Sequence, residues 1–262
     1  MEILQTENST DYTIQVVEKA VAVLTCFLEP PHSFGISEVA RRVSLNKNQT
    51  FRLLTTLEQT GLLVRTAGRP EYRLSWRVME LGQVAGSGVN LRQAAQPIMS
   101  RLAMVTQETI HLVAFDGVEA VCVDRRESPQ VIKLSAAEGQ RWPLHAGACP
   151  KVILAALPPG QARACVERNG FIPYTDKTAR NWGELSRELA EIRQQGYALS
   201  REDVNDGAEG VGAVIIDGAG RVAGAISVAG PAFRFSAKIP EFAALVRVAA
   251  ADIAAQLGRR DG

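Results

Sequence analysis

Apolar positions near the start of the chain step by threes and fours. Ile14, Val17, Val21, Leu24 and Leu28 keep that rhythm and predict an amphipathic helix over Tyr12–Leu28, closed by Glu29-Pro30-Pro31. Residues 1–11 read as a disordered tail. Two shorter helical patterns follow, separated by a break at Ser44-Leu45-Asn46. The first runs Ser37–Val43, with Ser37 as its N-cap. The second starts after Asn46, where Asn46 and Gln49 have capping-box spacing with Asn in place of Ser or Thr, and it stops at Gly61. Within Lys47–Thr60, Leu53, Leu54 and Leu57 form an apolar side, and Asn48, Arg52, Thr55 and Gln59 recur on another. Leu62–Arg65 and Tyr72–Leu74 pair as strands, and the loop Thr66–Glu71, with Gly68 and Pro70, is a wing. Helix, break, helix and basic hairpin together read as a winged helix-turn-helix over residues 12–75.

Beyond it, Trp76–Val89 is a glycine-weakened helix, and residues 76–90 read as a linker. A further helix spans Leu91–Val105, with Pro97 in its first turn or at a kink. Exposed apolar residues on this connector need a partner, which points to dimerisation. From Glu108 the period changes. Thr109–Phe115, Val118–Asp124, Val131–Ser135, Tyr197–Ser200, Val211–Ile216 and Val222–Val228 read as strands. Asp116-Gly117 is a two-residue hairpin signal, and Asp217-Gly218 marks another turn. Helices fall at Pro150–Leu157, Gln161–Asn169, Glu184–Gln195 and Ile239–Leu257. Strand pairs separated by helices make residues 91–262 an α+β domain, an antiparallel sheet with helices packed on it.

Charge sharpens the reading of the first domain. Between Arg41 and Arg77 stand Arg41, Arg42, Lys47, Arg52, Arg65, Arg69, Arg73 and Arg77 against Glu58 and Glu71, whereas the whole chain carries only +1. Such local concentration is what phosphate binding requires. A face offering Arg, Asn and Gln suits base edges. Lys47, Asn48, Gln49 and Arg52 are therefore the expected DNA contacts, with Arg65 and Arg69 on the wing. A hydrophobic fraction of 46% and a charged fraction of 22% belong to an ordinary soluble protein, and no apolar run approaches a membrane helix. The polar, acidic N-terminal stretch does not read as a secretory signal. Cys26, Cys122, Cys149 and Cys165 lack CxxC spacing and read as reduced thiols of a cytoplasmic protein.

The chain resembles the IclR-type transcriptional regulators from about Tyr12 to Leu257. The carrying residues are Arg52-Leu53-Leu54 with Leu57, Pro143-Leu144-His145-Ala146 leading to Lys151 and Leu154-Ala155, Gly196-Tyr197-Ala198 with Arg201-Glu202, and Ala225-Ile226-Ser227-Val228 with Gly230-Pro231. Their order and spacing are specific. The resemblance implies a winged helix-turn-helix, a linker helix and a GAF-like effector-binding domain, a mixed sheet with flanking helices. It also implies a small organic-acid effector, a double-stranded DNA operator, and homodimers, which in the family frequently pair into tetramers. By position it places His145, Ala148, Cys149, Asp203, Gly210, Ser227 and Ala229 at the effector, although Asp203 reads equally well as a loop-capping carboxylate. Ala229 stands where serine is common, Gly210 where a side chain can occur, and Pro150 where glycine is usual. Fewer polar groups favour a more apolar effector, an aromatic acid included. A carboxylate suits the free N–H groups of a helix start.

Other chemistry is weaker. His145 and Cys149 have no third group to orient a nucleophile, so no catalytic residue is expected. The Cys and His spacings fit no zinc motif, so neither metal nor cofactor is expected. Gly207, Gly210 and Gly212 lack the strand-to-helix context of a dinucleotide site. His111 reads as a satisfied or half-buried imidazole in a strand. The two rival readings are an enzyme built on the C-terminal domain and a winged-helix module for protein contact.

Overall fold

The computed structural model describes residues 14–66, 68–87 and 91–258, with only the backbone of residues 83–87. The expected tail at residues 1–11 lies outside them. The chain divides into two compact units, residues 1–88 and 89–262.

The first unit comprises helices α1 (Gln15–Cys26), α2 (Ile36–Arg42), α3 (Lys47–Gln59) and α4 (Trp76–Ser87), and strands β1 (Phe34–Gly35), β2 (Leu63–Arg65) and β3 (Glu71–Leu74). The strands form one antiparallel sheet in the order β1-β3-β2, one strand more than expected. That added strand moves the start of α2. Phe34–Gly35 pairs with β3 and runs straight into the helix, so Gly35 takes the N-cap position instead of Ser37 and no side chain caps it. Asn46 does cap α3, its Oδ1 accepting from the Gln49 N–H at 2.9 Å. Gly61 follows the helix with φ +76°, the left-handed conformation that ends a helix readily. The core holds Val23, Phe27, Phe34, Val39, Leu54, Leu57, Leu63 and Tyr72.

On α1 the apolar stripe read from sequence is mostly the outer one. Ile14, Val17, Val21 and Leu28 are 54–67% exposed, while Val23 and Phe27 are buried. The helix is apolar on two sides, and periodicity alone cannot tell which side meets the core.

The second unit contains α5 (Leu91–Thr106), β4 (Thr109–Phe115), β5 (Ala120–Arg126), β6 (Arg141–Trp142), α6 (Ala148–Ala156), α7 (Pro159–Asn169) and α8 (Trp182–Gln195). It ends with β7 (Ala198–Arg201), β8 (Ala208–Ile216), β9 (Val222–Pro231), α9 (Ala232–Phe235) and α10 (Ile239–Gly258). The sheet order is β6-β5-β4-β9-β8-β7, and every pairing is antiparallel, so the sheet itself is not mixed. Leu112, Val211, Ala213, Ile226 and Val228 face α5 and α10. Val113 and Ala225 face α6 and its neighbours. Helices thus cover both faces. Pro97 lies past the first turn of α5, on its exposed side.

Two further expectations are corrected, and one strand is added. Val131–Ser135 is not a strand. Its carbonyls are taken by side chains, Leu134 O by Thr109 Oγ1 at 2.7 Å and Ile132 O by Arg234 Nη2 at 2.8 Å, and Val131 is 98% exposed. The link between β4 and β5 is longer than two residues, because Asp116 Oδ1 accepts from the N–H groups of Val118 and Glu119 and Phe115 pairs with Ala120. The short strand β6 was absent from the sequence pattern.

Candidate functional site

Two regions carry chemistry, one in each unit. In the first, Lys47, Asn48, Gln49, Arg52 and Gln59 are exposed on α3, while Thr50, Leu54 and Leu57 are buried. Thr55, expected on the polar face, is half-buried, and so is Leu53, expected on the apolar side. Phe51, an apolar residue among the polar ones, is 48% exposed on the same helix.

The charge excess is smaller than the count from Arg41 to Arg77 implies. Glu38, just outside that window, holds Arg41 at 2.5 Å and Arg42 at 2.8 Å. Arg65 on β2 pairs with Glu58 at 3.1 Å and stacks over Tyr72. Lys47, Arg52, Arg69 and Arg73 are exposed and form no ion pair with another described residue.

In the second unit a cavity of about 330 Å³ opens where α6 begins. Ala148, Cys149, Gly210, Ser227 and Ala229 line it together. The sheet explains the grouping. Ser227 and Ala229 alternate with the core residues Ile226 and Val228, so they face α6. Gly210 pairs with Ala229, and Gly212 pairs with Ser227. The helix start lies directly on Gly212, where an added Cβ would come within 3.1 Å of the Ala148 carbonyl carbon and 3.2 Å of the Cys149 nitrogen. Gly147 caps α6 with φ +88°, and the N–H groups of Ala148 and Cys149 fall in the first turn, where a helix offers no internal partner. Trp142, Tyr174, Val113 and Leu134 supply apolar wall, and Arg141, Ser135 and Asn205 supply polar wall.

His145 and Asp203 do not line this cavity. His145 is buried, its Nε2 on Ile172 O at 2.9 Å and its ring against Phe171 and Tyr174. Asp203 works from behind. Its Oδ2 accepts from the Gly147 N–H at 3.2 Å and meets Lys151 Nζ at 2.6 Å, and its Oδ1 accepts from Ser200. Lys151 also meets Glu188 at 2.9 Å. Burial works against the Lys151 charge, but Asp203 and Glu188 outweigh it and hold its pKa above the ordinary lysine value.

The nucleophile reading of Cys149 fails on the same geometry. Burial pushes its thiol up to about 12, a hydrogen bond to Ser227 offsetting only part of that. A thiol so protonated is not a nucleophile. Sequence reasoning also missed the loop residues of the cavity, which follow no periodicity, and His111, which lines it from β4. Burial, and then the charge of Arg125, pushes the His111 imidazole down to about 4. No group of His, Cys, Asp and Glu suited to a metal occurs among the described residues.

Comparison with known proteins accounts for both units. Residues 16–67 match the IclR helix-turn-helix domain, and residues 83–255 match the bacterial transcriptional regulator IclR C-terminal domain. The chain is 31% identical over 256 residues to the HTH-type transcriptional regulator KipR of Bacillus subtilis, covering 97% of this chain and 99% of that protein. It is 29% identical over 250 residues to KdgR of Escherichia coli, covering 95% of each. Among solved structures, the Thermotoga maritima IclR superposes with a TM-score of 0.73 at 28% identity, covering 94% of this chain and all of that one. An IclR homologue from Microbacterium hydrocarbonoxydans, complexed with 4-hydroxybenzoate, superposes with a TM-score of 0.81 at 23% identity, covering 92% and 98%.

Proposed function

The chain belongs to the IclR family of transcriptional regulators, and from that premise we propose that its DNA binding is controlled by a small organic acid held at the start of α6. The carrying observation is the cavity itself: Ala148, Cys149, Gly210, Ser227 and Ala229 converge on it from three elements. The acid's carboxylate accepts from the first-turn N–H groups of α6, which the helix dipole favours. Its skeleton packs on Trp142, Val113 and Leu134, which suits an apolar or aromatic acid. The same fold holds 4-hydroxybenzoate in the Microbacterium homologue. Asp203 and His145 support the site from outside the cavity. No cofactor or metal takes part.

On the DNA side, α3 enters the major groove. Lys47, Asn48, Gln49 and Arg52 read bases and phosphates from its N-terminal half, and Arg65 and Arg69 follow the backbone or the minor groove. The protein works in the cytoplasm as a homodimer or a dimer of dimers. The exposed apolar side of α1, together with Trp76, Met79 and Leu81 on α4, supports self-association, since free apolar surface of that extent favours a partner.

The test is a thermal-shift titration with benzoate, 4-hydroxybenzoate, pyruvate and glyoxylate. A bound acid at about 100 times its Kd adds roughly 2.7 kcal/mol of apparent stability. No shift with any acid would sink the effector assignment and leave the DNA-binding assignment intact.

A further inference from the structure

His111 lines the cavity from β4. Its Nε2 is buried and has no hydrogen-bond partner among the described residues. Three other polar groups of the lining are already engaged. Ser135 Oγ accepts from Arg125 at 3.1 Å, Glu209 accepts from Ser236 at 2.7 Å, and Arg141 is paired with Asp116 and Glu119. A polar atom without a partner in a low-dielectric site costs free energy, so a ligand group that pairs with it binds more favourably than one that cannot. Because the ring is neutral, it offers one donor and one acceptor and is not a charge.

Strand register fixes where this ring sits relative to the helix start. His111 pairs with Ser227 across β4 and β9, and Ser227 pairs with Gly212 across β9 and β8. The first turn of α6 rests on Gly212. The three residues form one row across the sheet, on the face that carries the cavity. Two strand spacings, about 10 Å, separate its ends. The free N–H groups of α6 stand over one end, the imidazole at the other, and Ser227 between them.

We infer that His111 is a specificity-determining residue, and that the effector is an acid carrying a second hydrogen-bonding group, a hydroxyl or carbonyl, on the side of a compact skeleton away from its carboxylate. The carboxylate lies on α6 and the second group on the imidazole, an inference that rests on the acid-effector reading above. A cavity of about 330 Å³ is at the small end for ligand sites and fits a skeleton no larger than a single ring with short substituents. A site that pairs a ligand hydroxyl discriminates against the analogue without one, because the protein group is then left unpaired.

The experiment is calorimetric titration of the full chain with benzoate, 3-hydroxybenzoate and 4-hydroxybenzoate. The wild type should bind one hydroxylated acid at least about tenfold more tightly than benzoate, the worth of one buried hydrogen bond. His111→Phe should bring that preference within about threefold while benzoate still binds. His111→Gln, which keeps a donor and an acceptor, should retain part of it. If the Phe variant fails to fold, as judged by circular dichroism, His111→Leu replaces it. Equal wild-type affinity for all three acids overturns the inference, as does a preference that survives the loss of the imidazole. Absence of binding by every acid overturns the effector reading beneath it and the inference with it.

Discussion

Arg52 is an exposed cation at the middle of α3 with no ion pair among the described residues, so its charge is free for DNA. Arg52→Ala should weaken binding of a selected operator by about 1–3 kcal/mol, the worth of a bidentate base contact. A gel-shift titration over a salt series checks it, and an unchanged affinity contradicts it. Arg65 differs, because Glu58 already holds it. Its replacement should cost less than that of Arg52 in the same titration. His111 makes a separate prediction about stability. A base whose folded pKa is depressed from 6.5 to about 4 contributes stability that is whole above 6.5 and is lost as pH falls from 6.5 toward 4. The total is on the order of 3 kcal/mol. Urea unfolding at pH 7.5 and pH 5 should show a loss in the wild type that His111→Gln lacks; parallel losses would contradict the neutral ring.

Among the elements, the start of α6 matters most, and it depends on Gly212. A methyl there meets backbone atoms of Ala148 and Cys149 at 3.1–3.2 Å, and backbone cannot turn aside as a flexible side chain does. Gly212→Ala should cost about 1–3 kcal/mol of stability and weaken acid binding by displacing the first turn. Unaltered melting and unaltered acid affinity would show that the helix start is not tightly seated. Elements were legible where one rule governed them. Asn46 named the start of α3 because an Asn side chain satisfies a helix N–H, and β4 was read to its residue limits from its strand-like composition and the turn signal Asp116-Gly117 that ends it. They were illegible where two rules competed. On α1, Val17 and Val21 fit an inward stripe as well as Val23 and Phe27 do, and only packing chose between them. Val131–Ser135 has strand composition, but Thr109, Arg125 and Arg234 bind the backbone around it before a neighbouring strand can. The cavity was half legible for a related reason. Ser227 and Ala229 share a face by simple alternation, but the inward turn of Asp203 toward Gly147 and Lys151 is a tertiary fact with no local signal.

For the molecule as a whole, the sequence and the comparisons agree on a DNA-binding regulator with a separate ligand-holding unit. An acid can shift DNA affinity only through its different affinities for two states of the protein. Such couplings run about 1–3 kcal/mol, or roughly 5–150-fold. Reciprocity requires operator DNA to change acid affinity by the same factor. The most direct measurement is therefore the Kd of the full chain for an operator selected from a random DNA library, titrated with and without the acid that gives the largest thermal shift. A change of about fivefold or more, matched by an equal change in acid affinity when the operator is present, is the expected result. An acid that binds the cavity yet leaves the operator Kd unchanged would contradict control of DNA binding from the α6 site.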